Sequence, residues 1–577
     1  SGTVAVTVDN NSGQSVATVS AGRGVAANQL STFIWNGFES SGRVVPDGRY
    51  FFHVTLIQQA RSVLLSTPVT IITQPPHPRV TSVTLAAATT KTATTGTTTP
   101  TTGAATTGTS GTTGAGSGNK RRRGAAAASG PVVLTPPDGT TTIHYPLASY
   151  RRVWIDVYRT DLAGRPRLVN QFTANPAVGT AHWNGDGPNG EPVAAGTYLI
   201  GITAQDQACN QASYPTVVPP APGTTPRTGV TVRYLTATPP LVPTAAGTRA
   251  PVAVYSPTGA YTWQLRLAGR QKLLRQGSGV AGSSTLRLWL PPNRTGLYTL
   301  TLRAGSHTAA VPLVADAPGR RGTRGRQGDV LVILPMLTWQ GANPVDDTGD
   351  GLPSTLTAGE RVALRRPLAH GLPLGYRGDA VLLRFLNSQH LRYQMTTDVA
   401  LAVGRGPSLV DRWGVVLAGD ETWLPAPLVP MLKGFVEGGG RVLSIGTDTL
   451  QGSSKLSGYP AAPVAAAPVR MGHDLFGAQH GPQTSTKGDL ITELSDQLDI
   501  FAAAPAFPGF DAYTPIEPPA GAVASLAGVA AGAPAVAAFM VGKGYVVEVG
   551  LAGFNRSLAT NVDAQELLGR VWQLLAR

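Results

Sequence analysis

At 577 residues and 59.6 kDa the chain exceeds what one hydrophobic core holds, and ordinary domain sizes predict about three to five units. Gly (69) and Pro (47) make up a fifth of it and charged residues only 14%, which excludes a coiled coil or an all-helical bundle, while 42% hydrophobic residues exclude wholesale disorder. A single cysteine, Cys209, excludes a disulfide framework and a Cys-rich metal site, leaving an inert thiol.

The net charge of +14 is unevenly placed: residues 1–329 hold 29 Lys and Arg against 11 Asp and Glu, and residues 330–577 hold 17 against 21. The basic front half suits an anionic cell-surface polymer or glycan. Its charges are scattered without a nucleic-acid-binding motif, so no specific nucleic-acid partner is expected. No Met starts the chain, and Ser1 runs directly into the strand-like Val4-Ala5-Val6-Thr7-Val8, so an upstream segment is expected to be missing. No run of about 18 strongly apolar residues predicts a transmembrane helix. The uncharged Pro518–Gly542 stretch is rich in Ala and Gly and reads as buried strands. An extracellular or cell-surface protein is the expectation.

In chain order the first feature is a repeat. Trp35-Asn36-Gly37 is followed by Gly42, Gly48 and Tyr50, and Trp183-Asn184-Gly185 by Gly190, Gly196 and Tyr198. The offsets from each Trp are 7, 13 and 15, and the copies lie 148 residues apart, the mark of a duplicated module. An inward Trp anchors a small sandwich core, and glycines supply the positive-φ corners of tight turns. Strand-like runs follow each Tyr, Phe51–Ile57 and Leu199–Ala204. On these residues the repeat resembles the Ig-like domain of the flagellar hook-assembly scaffold protein, which implies a spacer or binding module. The expected units are an Ig-like β-sandwich over 1–85, a Thr/Gly/Ala-rich linker over 86–129 with a basic end, and a second sandwich over 130–222. A third over 226–316 rests on period-2 runs at Val230–Leu235, Tyr261–Leu267, Leu286–Leu290 and Gly296–Leu302.

After a second linker at 317–328 the pattern changes. Val330–Leu334 is continuously apolar, as in a parallel strand buried on both faces. A helix over Ala380–Leu391, an extended Arg392–Thr397, a strand Trp413–Leu417, a helix Pro427–Glu437 and a strand Arg441–Ile445 follow. A hairpin over Val536–Val549 turns at Gly542-Lys543-Gly544, and the helix Asp563–Leu575 ends the chain. This alternation predicts an α/β layered unit over 329–577, whose ligands would sit beyond the carboxyl ends of its strands.

That rim collects Trp339, Gln340 and Asn343, then Asp420, Glu421 and Trp423, then Asp448, then Asn555 and Arg556, and all of these but Asp420 and Glu421 are candidate ligand-binding residues. Asp420 and Glu421 are the acid/base or metal-ligand candidates; the alternative is that Asp420 caps the next segment and Glu421 is solvated. Asp346 and Asp350, within Asp346-Asp347-Thr348-Gly349-Asp350-Gly351, begin like a calcium loop, although position twelve is Thr357 rather than Glu. His473, Asp474 and His480 lie in a Gly-rich loop and offer metal ligands alongside Asp420 or Glu421, or else a plain surface loop.

Leu334-Pro335 with Thr338-Trp339-Gln340, Asp420-Glu421 with Trp423, and Gly438-Gly439-Gly440-Arg441-Val442-Leu443 together resemble the C-terminal domain of the N,N-dimethylformamidase large subunit, itself similar to class I glutamine amidotransferases. The resemblance covers roughly 329–577 and implies a flavodoxin-like three-layer sheet and iron-dependent hydrolysis of a small amide with tyrosine ligands. Here Gly419 and Thr422 stand where that family tends to have His and Tyr, so its iron site is not expected. No cysteine lies in this region, which excludes an amidotransferase thiolate. Two readings follow: a multidomain surface protein with a degenerate amidohydrolase-like unit used for binding, or a divergent hydrolase of amide or glycan bonds using Asp420 and Glu421, with or without a metal.

Overall fold

The computed structural model describes residues 1–86, 131–221, 223–224, 227–257, 259–317, 330–501, 506–530 and 532–576. The linker predicted over 86–129 and the one over 317–328 fall almost wholly outside them.

The first unit is one five-stranded antiparallel sheet, in which Gly2–Asn10 pairs with Ser15–Val25 on one side and Gly48–Leu56 on the other. Val4, Val6 and Val8 alternate inward, as half-buried strands require. The second unit is a two-sheet sandwich. Arg167–Ala174, Tyr150–Arg159, Gly196–Asp206, Gly229–Val232 and Val132–Leu134 form one sheet, with Gln211–Tyr214 at its margin; Thr180–Trp183, Thr141–His144 and Ser82–Leu85 form the other. The third unit pairs Thr236–Thr238, Arg249–Ser256 and Gly282–Trp289 against a five-stranded sheet built on Tyr261–Leu267, Gly296–Ala304 and His307–Asp316.

Two boundaries differ from the sequence expectation. Ser82–Leu85 leaves the first unit and pairs with Thr141–His144 of the second. Gly229–Val232 also belongs to the second sandwich, between Gly196–Leu199 and Val132–Leu134. Both are short apolar runs, and periodicity shows that such a run is a strand without showing which sheet completes it. The first unit differs as well: among the described residues it has no second sheet, and Leu30 and Ile34 stand exposed.

The repeat is reproduced atom by atom. Trp35 Nε1 donates to the Phe38 carbonyl at 2.8 Å and Trp183 Nε1 to the Asp186 carbonyl at 2.9 Å. Tyr50 and Tyr198 each donate at 2.6 Å to the carbonyl four residues earlier. The Trp–Tyr ring centroids lie 5.3 and 5.5 Å apart. Gly37 and Gly185 sit at φ of 83° and 88°, where a side chain would be strained.

In the α/β unit we label β1 (Val330–Leu334), α1 (Met336–Gly341), α2 (Tyr376–Ser388), β2 (Tyr393–Thr397), α3 (Asp398–Ala402), β3 (Gly414–Leu417), α4 (Leu428–Glu437) and β4 (Arg441–Ile445). Then come β5 (Ile491–Asp496), β6 (Ala506–Phe507), β7 (Ala524–Gly528), β8 (Pro534–Val541), β9 (Gly544–Val549), α5 (Phe554–Ser557) and α6 (Val562–Leu575). The sheet runs β2-β1-β3-β4-β9-β8-β7-β5-β6. Its first five strands are parallel and the rest antiparallel. Val332, Leu443 and Val547 pack one face under α2 and α6, while Leu331, Val442 and Val546 pack the other under α4. Pro518–Gly542 does form buried strands, β7 and β8, and no helix among the described residues is long and apolar enough to cross a membrane.

The sandwiches are fixed to this unit. Leu241, Ala268, Leu297 and Val314 of the third sandwich belong to the same buried core as β1 and α2. Thr397 Oγ1 donates to the Leu241 carbonyl at 2.7 Å, and the Met395 amide to Asp316 at 3.1 Å. The second sandwich joins through the 346–351 loop, where Gly229 N donates to the Gly349 carbonyl at 2.8 Å and Thr160 Oγ1 to the Gly351 carbonyl at 2.6 Å.

Candidate functional site

The carboxyl ends of the five parallel strands carry the polar residues named from sequence, but these residues divide into separate networks. Trp339 leaves β1 on α1, is buried, and packs on Tyr376 with centroids 6.1 Å apart. Gln340 and Asn343 are also buried and turn inward. Gln340 Nε2 donates to the Arg366 carbonyl at 3.2 Å, and Asn343 Nδ2 to the Pro367 carbonyl at 2.8 Å. The Arg366 guanidinium in turn donates to the carbonyls of Gln340, Asn343, Val345 and Ser354 and to Asp347. These bonds hold the strap at 366–369 against α1 and the loop that follows it.

Beyond β3 stand the two central carboxylates. Asp420 is half-buried, and its Oδ1 accepts from the amides of Thr447 at 2.9 Å and Asp448 at 3.4 Å after β4. Burial raises it above the ordinary carboxyl range, while those amides and the Arg556 charge pull it back. Glu421 is fully buried, and among the described residues neither carboxylate oxygen has a hydrogen-bond partner. Burial, then the charges of Asp398 and Asp379, drive it far upward. Asp398, the first residue of α3, accepts from the Leu337 amide at 2.9 Å, and burial lifts it to about 7.

Asp379 on α2, missed by sequence reasoning, is the third buried carboxylate here. Burial and then the Asp420 charge raise it well above its usual value. Asn555 reaches it at 3.4 Å and donates at 2.5 Å to the Ala418 carbonyl. A Cβ on Gly419 would lie 2.5 Å from Asp379 Oδ1, so this carboxylate occupies the space any larger residue at 419 would need. Thr422 donates to Asp448 Oδ2 at 3.3 Å. Trp423 is buried, with the Arg470 guanidinium 5.4 Å above its ring. Only Asp448 and Arg556 of the rim set stand exposed.

Asp346, offered as a calcium ligand, is buried, and its oxygens accept from the amides of Thr348, Gly349 and Gly351 at 2.9, 2.6 and 2.9 Å. Asp350 accepts from the Leu352 amide at 3.0 Å. Both carboxylates are thus engaged by their own loop, which is the joint with the second sandwich. Asp474 and His480 are brought together, with Glu548 of β9 rather than with Asp420 or Glu421. His473 is exposed beside them. Cys209 is exposed, and Arg151 donates to its sulfur. Away from the rim, a cleft of about 520 Å³ is lined by His77, Arg79, Pro146, Tyr150 and Tyr214.

No family model matches the chain, and no curated protein matches it. Among solved structures it is similar to the beta-galactosidase from Rahnella sp. R3, at 18% identity over 34% of this chain and 27% of that chain with a TM-score of 0.24. It is similar also to a biofilm-associated protein BSP domain, at 15% identity over 32% of this chain and 28% of that chain with a TM-score of 0.13. A third is the fibronectin(III)-like modules of Clostridium thermocellum CbhA, at 10% identity over 35% and 97% with a TM-score of 0.12. The chain covers little more than a quarter of each of the first two. The architecture given above rests on the strand pairing itself.

Proposed function

We propose that this is an extracellular multidomain surface protein, in which Ig-like sandwiches carry an amidotransferase-like α/β unit that binds rather than cleaves. The strand order of the parallel half, with the first strand between the second and third, is that of flavodoxin-like sheets and supports this reading of the last unit. The observation that carries the binding role is how the rim's polar groups are used: Gln340, Asn343 and Asn555 are hydrogen-bonded into the frame, and Glu421 is sealed from solvent. An acid or base must reach the proton it moves, and Glu421 does not. The residues do not fit the iron of the resembled family either, because Asp379 fills the space beside Gly419 and Thr422 is bonded to Asp448.

The ligand this reading favours is an anionic polymer of the cell surface, drawn to the basic residues of the front half. The cleft beside Arg79, with the rings of Tyr150 and Tyr214, offers both a cation and aromatic faces. A second reading, hydrolysis by Asp420 with Glu421, is favoured by one observation: three adjacent carboxyls with raised pKa values, the pattern by which enzymes keep an acid protonated near neutrality.

Both readings meet in one experiment on the full chain. Small amides and glycosides are screened for turnover, and polygalacturonate is tested for co-sedimentation across a salt series. Binding that weakens as salt rises, without turnover, is the expected result. Turnover that is lost in Asp420→Asn overturns the binding reading in favour of the hydrolase.

A further inference from the structure

The loop that follows β4 returns to the sheet at Asp474–His480, on the face packed by α4. Leu475, Phe476 and Ala478 bury there against Val442 and Val546. Asp474 fixes this loop with one oxygen only: Oδ1 accepts from the amides of Phe476 at 2.9 Å and Ala478 at 2.8 Å. Its other oxygen is buried, lies 3.9 Å from His480 Nε2 and faces the Glu548 carboxyl. Glu548 projects from near the carboxyl end of β9 onto the same face, is buried, and sets Oε2 2.8 Å from the same Nε2. Its Oε1 is a second buried oxygen, without a hydrogen-bond partner among the described residues. Ser444, the register neighbour of Glu548 on β4, adds a third, its buried Oγ.

One nitrogen and two carboxylate oxygens therefore lie within 4.8 Å of one another. Two carboxylates in a dry site repel each other, and a neutral imidazole cannot satisfy both. A divalent cation cancels that repulsion in place of the proton that the Asp474 and Glu548 carboxyls would otherwise share. We propose that Asp474, His480 and Glu548 bind one divalent transition cation of the zinc, manganese or ferrous class, with Ser444 beside it. The mixed nitrogen and carboxylate donor set suits those ions. The shell is closed from solvent and joins a loop to a strand, so the ion is a structural clasp, independent of the rim and of the binding role proposed above.

The test uses the full chain, stripped with EDTA, re-equilibrated with Zn²⁺ and dialysed. Expected are one equivalent of zinc per chain by mass spectrometry and a higher melting temperature than the stripped protein, with the gain larger at pH 8 than at pH 5 because the carboxylates must lose protons to bind. His480→Gln and Glu548→Gln should each weaken binding at least about 100-fold, as losing a direct ligand costs no less than losing an outer-shell partner. Less than a tenth of an equivalent on the parent (about the level of carry-over), or undiminished stoichiometric binding in both variants, overturns the proposal. Where a variant fails to fold, Co²⁺ substitution of the parent decides: a shifted, intensified visible band supports an imidazole-ligated site, and the weak spectrum of the hydrated ion refutes it.

Discussion

Arg366→Lys is the sharpest test of how the rim is built. The guanidinium is buried, with Nη1 donating to Val345, Ser354 and Asp347 at 3.1, 3.0 and 2.8 Å, and Nη2 to Gln340 and Asn343 at 2.6 and 2.9 Å. A lysine ammonium keeps the charge but has three donors at one point, so at least two of those five acceptors lose their partner. Each unsatisfied buried acceptor costs about 1–3 kcal/mol, and damage to a buried charged network about 3–5 kcal/mol; the expected loss is about 3–5 kcal/mol. For a unit of this size that lowers the melting transition by about 6–20 °C. Calorimetry of the full chain reads it, and hydrogen exchange across 336–369 localises it. Asn343→Ala acts through the same strap, so the double variant should cost clearly less than the two single losses combined. A transition unmoved in Arg366→Lys, or strictly additive losses, would refute the assignment of Gln340 and Asn343 to the frame and return them to the candidate ligand set.

Three further outcomes follow from the same geometry. Glu421→Gln should leave stability unchanged at pH 4 and raise it at pH 8. The folded state holds this carboxyl well above its unfolded pKa, so parent stability falls as pH rises past the unfolded carboxyl range, and the amide removes that loss without breaking a bond; melting curves at the two pH values check it. Gly229→Ala places a Cβ 2.2 Å from the Gly351 nitrogen and 2.6 Å from Asp346 Oδ2. Overpacking of this kind costs about 1–3 kcal/mol and should split the second sandwich from the α/β unit as a separate calorimetric transition. Trp183→Ala should cost about 3–5 kcal/mol of the second sandwich's stability; Trp35→Ala should cost less because Trp35 is only half-buried, and denaturation of the two variants side by side compares them.

The repeat and the strand grammar were legible because they are local. Trp, Gly and Tyr at fixed offsets determine one arch twice over, and the apolar β1, β3 and β4 occur where the sequence puts them, within a residue. Ser82–Leu85 and Gly229–Val232 were misassigned because the sheet that completes them is a tertiary fact. Asp379 was invisible for a related reason. It sits on a helix with ordinary amphipathic spacing, and only the absence of a side chain at Gly419, forty residues later, lets it enter the rim. Glu548 was equally hidden, one acidic residue in an apolar strand, although an acid inside a run such as Val546-Val547-Glu548-Val549 is itself a signal, since a buried charge needs a partner.

The way the units are joined bears on function more than any single side chain. A stalk of independent sandwiches would place its basic residues on a flexible chain. Here the third sandwich shares a core with β1 and α2, and the second is tied through Gly229 and Thr160 to the 346–351 loop. That loop keeps its shape because Asp346 accepts from three of its amides. The acidic run that suggests calcium in the sequence therefore does mechanical work in the fold, setting the orientation of the second sandwich against a net acidic α/β unit. Fixing charged surfaces in one orientation lowers the entropy lost on engaging an extended polymer at several points, so a rigid array is what a multivalent surface ligand would reward. If the Gly229→Ala joint opens as expected, polygalacturonate affinity should fall even though no basic residue has been removed; unchanged affinity would mean that each unit binds alone.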